Sequence, residues 1–185
     1  MHIYPYKTKE FIKEGRESLN RMYSAKNGEE LRRALVSFLN ATRFCTQILL
    51  ADYKNELVGF NDWWNKKYIF LNEDPLCKFF VKTRNAVIKK GEDVIEINWI
   101  IKGPGVMKGP LQIGPDGTVY TAIVKNDSFE WVPRKNVKGH KIISWDFNNK
   151  PPTCVNKKAN ILCNEYLELL DSLVNEFINK FGSLN

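Results

Sequence analysis

The sequence contains only two histidines and four cysteines, and no two of the cysteines form a C-x-x-C pair. A zinc site needs closely spaced cysteine and histidine ligands, and that spacing is absent here. We therefore predict no metal and no cofactor. Cys45, Cys77 and Cys163 fall on predicted helices, the first two at apolar positions, which suits buried thiols in a reducing compartment.

Long apolar runs are also absent. No stretch approaches the roughly 18 apolar residues that a membrane-spanning helix needs, and residues 1–7 lack the apolar core of a signal peptide. There is no internal repeat and no low-complexity segment. We expect a soluble, cytoplasmic protein with no membrane partner.

Acidic residues are fewer than basic ones, and the net charge is +7. An excess of this size is compatible with a nucleic-acid or acidic partner. Lysines are nevertheless spread along the whole chain without a block of five, as in proteins from AT-rich genomes. Functional basicity and simple composition bias therefore stay open.

Apolar residues recur at helical spacing in five segments, most clearly in the long second one, where Leu31, Leu35, Phe38, Thr42, Cys45 and Leu49 alternate by four and three. The pattern predicts helices over 9–24, about 25 residues after Gly28, 60–71, 74–91 and 161–181. Trp63 and Trp64 in the third helix are expected to fill the core.

The apolar period changes from 3.6 to 2 after Gly91, as Ile95, Ile97, Trp99 and Ile101 alternate with polar residues. Further alternating runs follow as far as Phe147. The sequence therefore predicts an α+β fold, an antiparallel helical bundle with an antiparallel β-meander inserted before the last helix. We predict a single domain over residues 1–185, with the bundle at 9–91 plus 157–182 and the meander at 93–147.

The helix predicted at 74–91 begins with Pro75 and ends before Gly91, and it directs Arg84 into the middle of its apolar arc. An arginine in that position either pairs with a carboxylate on another helix or serves a site, because an unpaired buried charge is costly. Candidate partners are Asp52, Asp62 and Glu165. Both interpretations stay open.

Arg84 and Asn85, together with Trp63-Trp64, Asp74-Pro75-Leu76 and Phe79-Phe80, resemble the HEPN superfamily of small helical bundles. The resemblance covers about residues 30–91, and residues 161–181 match its last helix. It implies a homodimer, an association with mobile elements or defence, and in active members metal-independent RNA cleavage. There an arginine supports phosphate charge, and a histidine acts as acid and base.

Lys89 stands where active members have that histidine. A lysine near its reference pKa of about 10.4 is a poor base at neutral pH. At 100° per residue, Asn85, Lys89, Lys78 and Lys82 lie on the polar side of this helix, opposite Arg84. We therefore predict a non-catalytic, HEPN-like protein that binds RNA through the basic face of this helix, with Arg84, Asn85, Lys89, Lys82 and Lys78 as the binding residues. Two alternatives remain: a module that binds another protein through a sheet edge, and an RNase in which Lys89 or His140 replaces the histidine.

Overall fold

The computed structural model describes the backbone of residues 3–102, 111–113, 119–125, 128–133 and 140–182, and the side chains of residues 3–97 and 145–182. The chain divides into two compact units. Unit 1 contains Met1–Glu96 and Trp145–Asn185, and unit 2 contains Ile97–Ser144. The prediction of a single domain stays a prediction.

Unit 1 holds all of the described α-helices: α1 (Tyr6–Ser24), α2 (Gly28–Tyr53), α3 (Phe60–Glu73), α4 (Pro75–Arg84) and α5 (Ala159–Phe181). A π-helical turn, Asn85–Lys89, continues α4, and a short 3-10 turn, Pro152–Cys154, precedes α5. Most described residues are therefore helical, and the strands follow α4 and precede α5 in the sequence. The predicted α+β class is confirmed at this level.

The helices begin and end where local chemistry requires it. Asn27 caps α2 by accepting a hydrogen bond from the backbone N–H of Glu30 at 2.9 Å. Asp74 caps α4 in the same way, accepting from the N–H of Cys77 at 2.8 Å, and Pro75 occupies the first turn. Gly91 follows the π-helical turn with a φ of 67°, a conformation that glycine adopts without strain.

The core lies between α2 and α5, with α1 packed along α2 and in contact with α5. One end of this core is an aromatic cluster that joins α3 to α5. Phe60, Trp63, Trp64, Phe177 and Phe181 are all buried in it. Both tryptophans therefore fill the core, as predicted from the sequence, and neither presents a fully exposed ring face on which a base could stack.

The described strands are β1 (Ile95–Lys102), β2 (Leu111–Ile113), β3 (Val119–Lys125), β4 (Ser128–Pro133) and β5 (His140–Phe147). β1 pairs with β5, and β2, β3 and β4 form a separate antiparallel sheet in that order. A continuous meander would pair β1 with β2 instead. Alternation identifies strands but not their partners, and consecutive strands are neighbours only about two-thirds of the time.

Helix α2 is long and apolar enough to cross a membrane when only its length and composition are considered. Its apolar stripe, however, is buried against neighbouring helices: Leu31, Leu35, Phe38 and Leu49 are each 2% exposed or less. The core helix of a bundle passes the same length and composition test, and α2 has the packing of such a helix.

Candidate functional site

A pocket of about 170 Å³ opens between α2, α4 with its π-helical turn, and α5. We call it the cationic pocket, and its lining consists of Leu39, Thr42, Arg43, Phe80, Val81, Arg84, Asn85, Lys89 and Tyr166. Three of these side chains carry a positive charge, and none of the described lining residues is acidic. The pocket therefore has the charge and polar groups to hold an anion.

Arg84 is half-buried at the wall of this pocket. Its Nη1 donates to Oδ1 of the adjacent Asn85 at 3.4 Å, a long hydrogen bond. Its Nε is buried and has no hydrogen-bond partner within the described part of the chain. Leaving a guanidinium donor without a partner is unfavourable, so the site retains an unused capacity to bind an acceptor.

The carboxylates proposed as structural partners of Arg84 serve other cations or lie elsewhere. Asp52 pairs with Lys7 at 3.6 Å, and Glu165 pairs with Lys157 at 2.7 Å. Asp62 lies in the first turn of α3. Among the side chains that the structure describes, residues 3–97 and 145–182, Arg84 forms no ion pair with any of these three carboxylates. The interpretation of Arg84 as a structural anchor therefore has no support from them.

The π-helical turn explains why Lys89 lines the same pocket as Arg84. In an α-helix, residues five positions apart point about 140° away from each other, so the sequence pattern puts Lys89 on the opposite face from Arg84. In a π-helix the hydrogen bonds run from residue i to i+5, and the fifth residue returns to the same side. Asn85 and Lys89 therefore join Arg84 in one pocket, which corrects the predicted face.

Lys78 and Lys82 are exposed on α4 and do not line the pocket. They lie in the α-helical part, before the turn changes the helical period. The five predicted binding residues therefore form two groups, with Arg84, Asn85 and Lys89 in the pocket and the other two lysines outside it.

Sequence reasoning missed Arg43 of α2, which lines the same pocket as Arg84. Arg43 follows Leu39 by four residues, so it continues the edge of the apolar stripe of α2. A charged residue at that edge was the available signal. It becomes informative only when the neighbouring helix also presents a cation there.

Tyr166 of α5 is buried, lines the pocket and stacks on Phe80, with ring centroids 4.4 Å apart and an angle of 8° between the rings. Burial raises the pKa of the Tyr166 hydroxyl well above its usual value. The phenol therefore stays neutral and can donate a hydrogen bond to an anion.

Thr42, also in the lining, donates its hydroxyl to the carbonyl oxygen of Phe38 at 2.9 Å. Among the described residues, no group of three or more histidine, cysteine or acidic side chains could hold a metal ion. None of the described lining residues is a histidine. The side chain of His140, the alternative acid–base group, lies outside the described residues.

The comparisons with known proteins identify a family and nothing closer. No curated protein and no solved structure matches the sequence. Residues 18–142, well over half of the chain, match the family described as bacteriophage lambda protein ea47, and the matched segment includes Arg43, Arg84 and Lys89. The chain therefore belongs to the bacteriophage lambda ea47 protein family.

Proposed function

We propose that the protein binds RNA without cleaving it and that the cationic pocket holds one phosphate group of the bound strand. The observation that carries the proposal is the half-buried Arg84, whose Nε is unpartnered and whose neighbours in the pocket include Arg43 and Lys89. A phosphate offers several strong acceptor oxygens, and arginine binds it through two parallel hydrogen bonds.

The proposal narrows the basic face predicted from the sequence to this pocket. Lys78 and Lys82 are exposed and do not line the pocket, so in this proposal they contact phosphates further along the strand. The HEPN-like bundle with inserted strands, the homodimer and the cytoplasmic location belong to the same proposal. Sedimentation of the purified chain measures the second of these, the oligomeric state.

The experiment measures binding of a short labelled single-stranded RNA by fluorescence anisotropy across a salt series. We expect Arg84→Gln to weaken binding about tenfold and to reduce the slope of log affinity against log salt by about 0.7. Arg33→Gln is the matched control because it removes the same charge from an exposed residue of α2 outside the pocket. It should leave affinity within about twofold.

The same samples are checked for RNA products. Cleavage that disappears in Arg84→Gln would overturn the proposal in favour of the RNase alternative. Equal binding by wild type and Arg84→Gln would show that the pocket is not the site. Absence of any binding would favour the protein-interaction alternative, for which most strand side chains, residues 98–144, lie outside the described part of the chain.

A further inference from the structure

A second pocket, of about 130 Å³, lies directly beside the cationic pocket. It is bounded by α2, α3, α4 and α5, and it shares Arg43, Val81 and Tyr166 with the first. Because the two pockets share these side chains as a common wall, one ligand can occupy both. We call the second one the aromatic pocket.

The lining of the aromatic pocket has a different character. Leu50, Trp64 and Leu170 contribute apolar surface, and Tyr68 of α3 stands at the rim with 55% of its surface exposed. Gln47 and Asn72 add two exposed amide side chains, each with donor and acceptor groups. No acidic residue is among the described lining residues, and Arg43, at the shared wall, is the single cation among them.

We infer that the aromatic pocket receives the nucleobase attached to the phosphate held in the cationic pocket, which makes the ligand single-stranded RNA. This inference rests on the proposed function. A base has flat apolar faces and polar edges, and one ribose separates it from its phosphate. The faces suit Tyr68 and the apolar lining residues, and the edges suit the amides of Gln47 and Asn72.

The charge of the two pockets favours a nucleotide over an apolar peptide or a second helix. An apolar segment would fill the aromatic pocket but would leave the unpartnered Arg84 beside it without an acceptor. A duplex would offer phosphates but would keep its bases stacked inside. A single strand satisfies both pockets, because its bases are free to turn outward while its backbone stays on the cations.

The test compares a short oligo(A) RNA with an abasic ribose-phosphate strand of equal length, by anisotropy at one salt concentration. We expect wild type to bind oligo(A) about tenfold more tightly than the abasic strand. Tyr68→Ala should remove most of that difference while leaving the affinity for the abasic strand unchanged. Tyr23→Ala is the matched control, since Tyr23 of α1 is 54% exposed and lines neither pocket.

Each outcome separates the base site from the phosphate site. If wild type binds both strands equally and Arg84→Gln weakens both, the phosphate pocket stands and the base site is overturned. If Tyr68→Ala keeps the full preference for oligo(A), the base lies elsewhere and the inference is again overturned. If wild type binds neither strand, the proposed function fails and the base site fails with it.

Discussion

Arg84 shows how one residue can be recognised in the sequence without its role being settled there. Its position on an apolar arc predicts either a buried ion pair or a ligand site. Only the folded structure shows that Nε of Arg84 is unpartnered and that no acidic side chain is among the described residues lining its pocket. Arg43 is harder still, because it becomes a neighbour of Arg84 only when α2 packs beside α4.

This environment predicts that Arg84 lowers the free energy of unfolding while contributing to RNA binding. Replacing it with methionine, Arg84→Met, keeps the apolar stem and removes a desolvated donor that has no partner. We expect the free energy of unfolding to stay within about 1 kcal/mol of wild type or to rise, while RNA binding weakens about tenfold, as for Arg84→Gln. Urea denaturation of the two proteins measures this.

The control is Lys9→Met, because Nζ of Lys9 is partly buried and bonded to both Asp171 and Asn175 at 2.8 Å. Loss of these bonds should cost about 1 kcal/mol. A loss of about 3 kcal/mol or more for Arg84→Met would instead identify Arg84 as the anchor of a buried ion pair.

At the scale of elements, the helices could be predicted closely because their limits depend on local chemistry. Asp74, Pro75 and Gly91 mark the two ends of the helix that contains Arg84, and the structure uses all three. The change from α-helix to π-helix inside it could not be predicted, because apolar periodicity assumes a constant 100° per residue. The prediction that Lys89 opposes Arg84 was wrong for this reason alone.

The π-helical turn leads to a prediction that exchanges two adjacent residues. If hydrogen bonds run from i to i+5, position 89 faces the pocket, whereas a continuous α-helix would present position 88. The double variant Ile88→Lys with Lys89→Ile keeps composition and net charge. We expect it to weaken RNA binding as much as Lys89→Ala does, measured by anisotropy at low salt.

Ile88 is 37% exposed and Lys89 is exposed, so neither change disturbs the core. The single variant Lys82→Ala serves as the control for a lost lysine outside the pocket, and its effect should be smaller. Affinity above wild type in the exchanged double variant would mean that position 88 faces the phosphate and that the helix is continuous. Unchanged affinity would mean that a lysine reaches the phosphate equally well from either position, which also contradicts the prediction.

For the whole molecule, the sequence predicts a net positive charge and buried thiols, but it does not predict where the basic side chains come together in a site. The excess of basic residues gives no position for a site, because lysines occur along the entire chain. The pocket arises where three helices far apart in sequence converge, and such non-local contacts leave no periodic signal. The order of the strands escapes prediction for the same reason, as the pairing of β1 with β5 shows.

The buried thiols and phenol predict that the fold weakens in alkaline solution. Burial raises the pKa of Cys45 and of Cys77 to about 12, and it also raises the pKa of Cys163 and Tyr166. In the unfolded chain the thiols lose their protons near pH 9, so above that pH the unfolded state binds fewer protons than the folded state. Stability is therefore complete below about pH 9 and declines as the pH rises toward about 12.

Urea denaturation at about pH 8 and about pH 11 measures this decline, to which each thiol contributes up to about 1.4 kcal/mol per pH unit. The double variant Cys45→Ala with Cys77→Ala should be less stable at the lower pH, yet should lose less stability between the two. Val174→Ala, which truncates a buried side chain without a titrating group, should keep the wild-type dependence. An identical decline in the double variant would mean that these two thiols ionise at similar pH in the folded and unfolded chain, and that their burial is incomplete in solution.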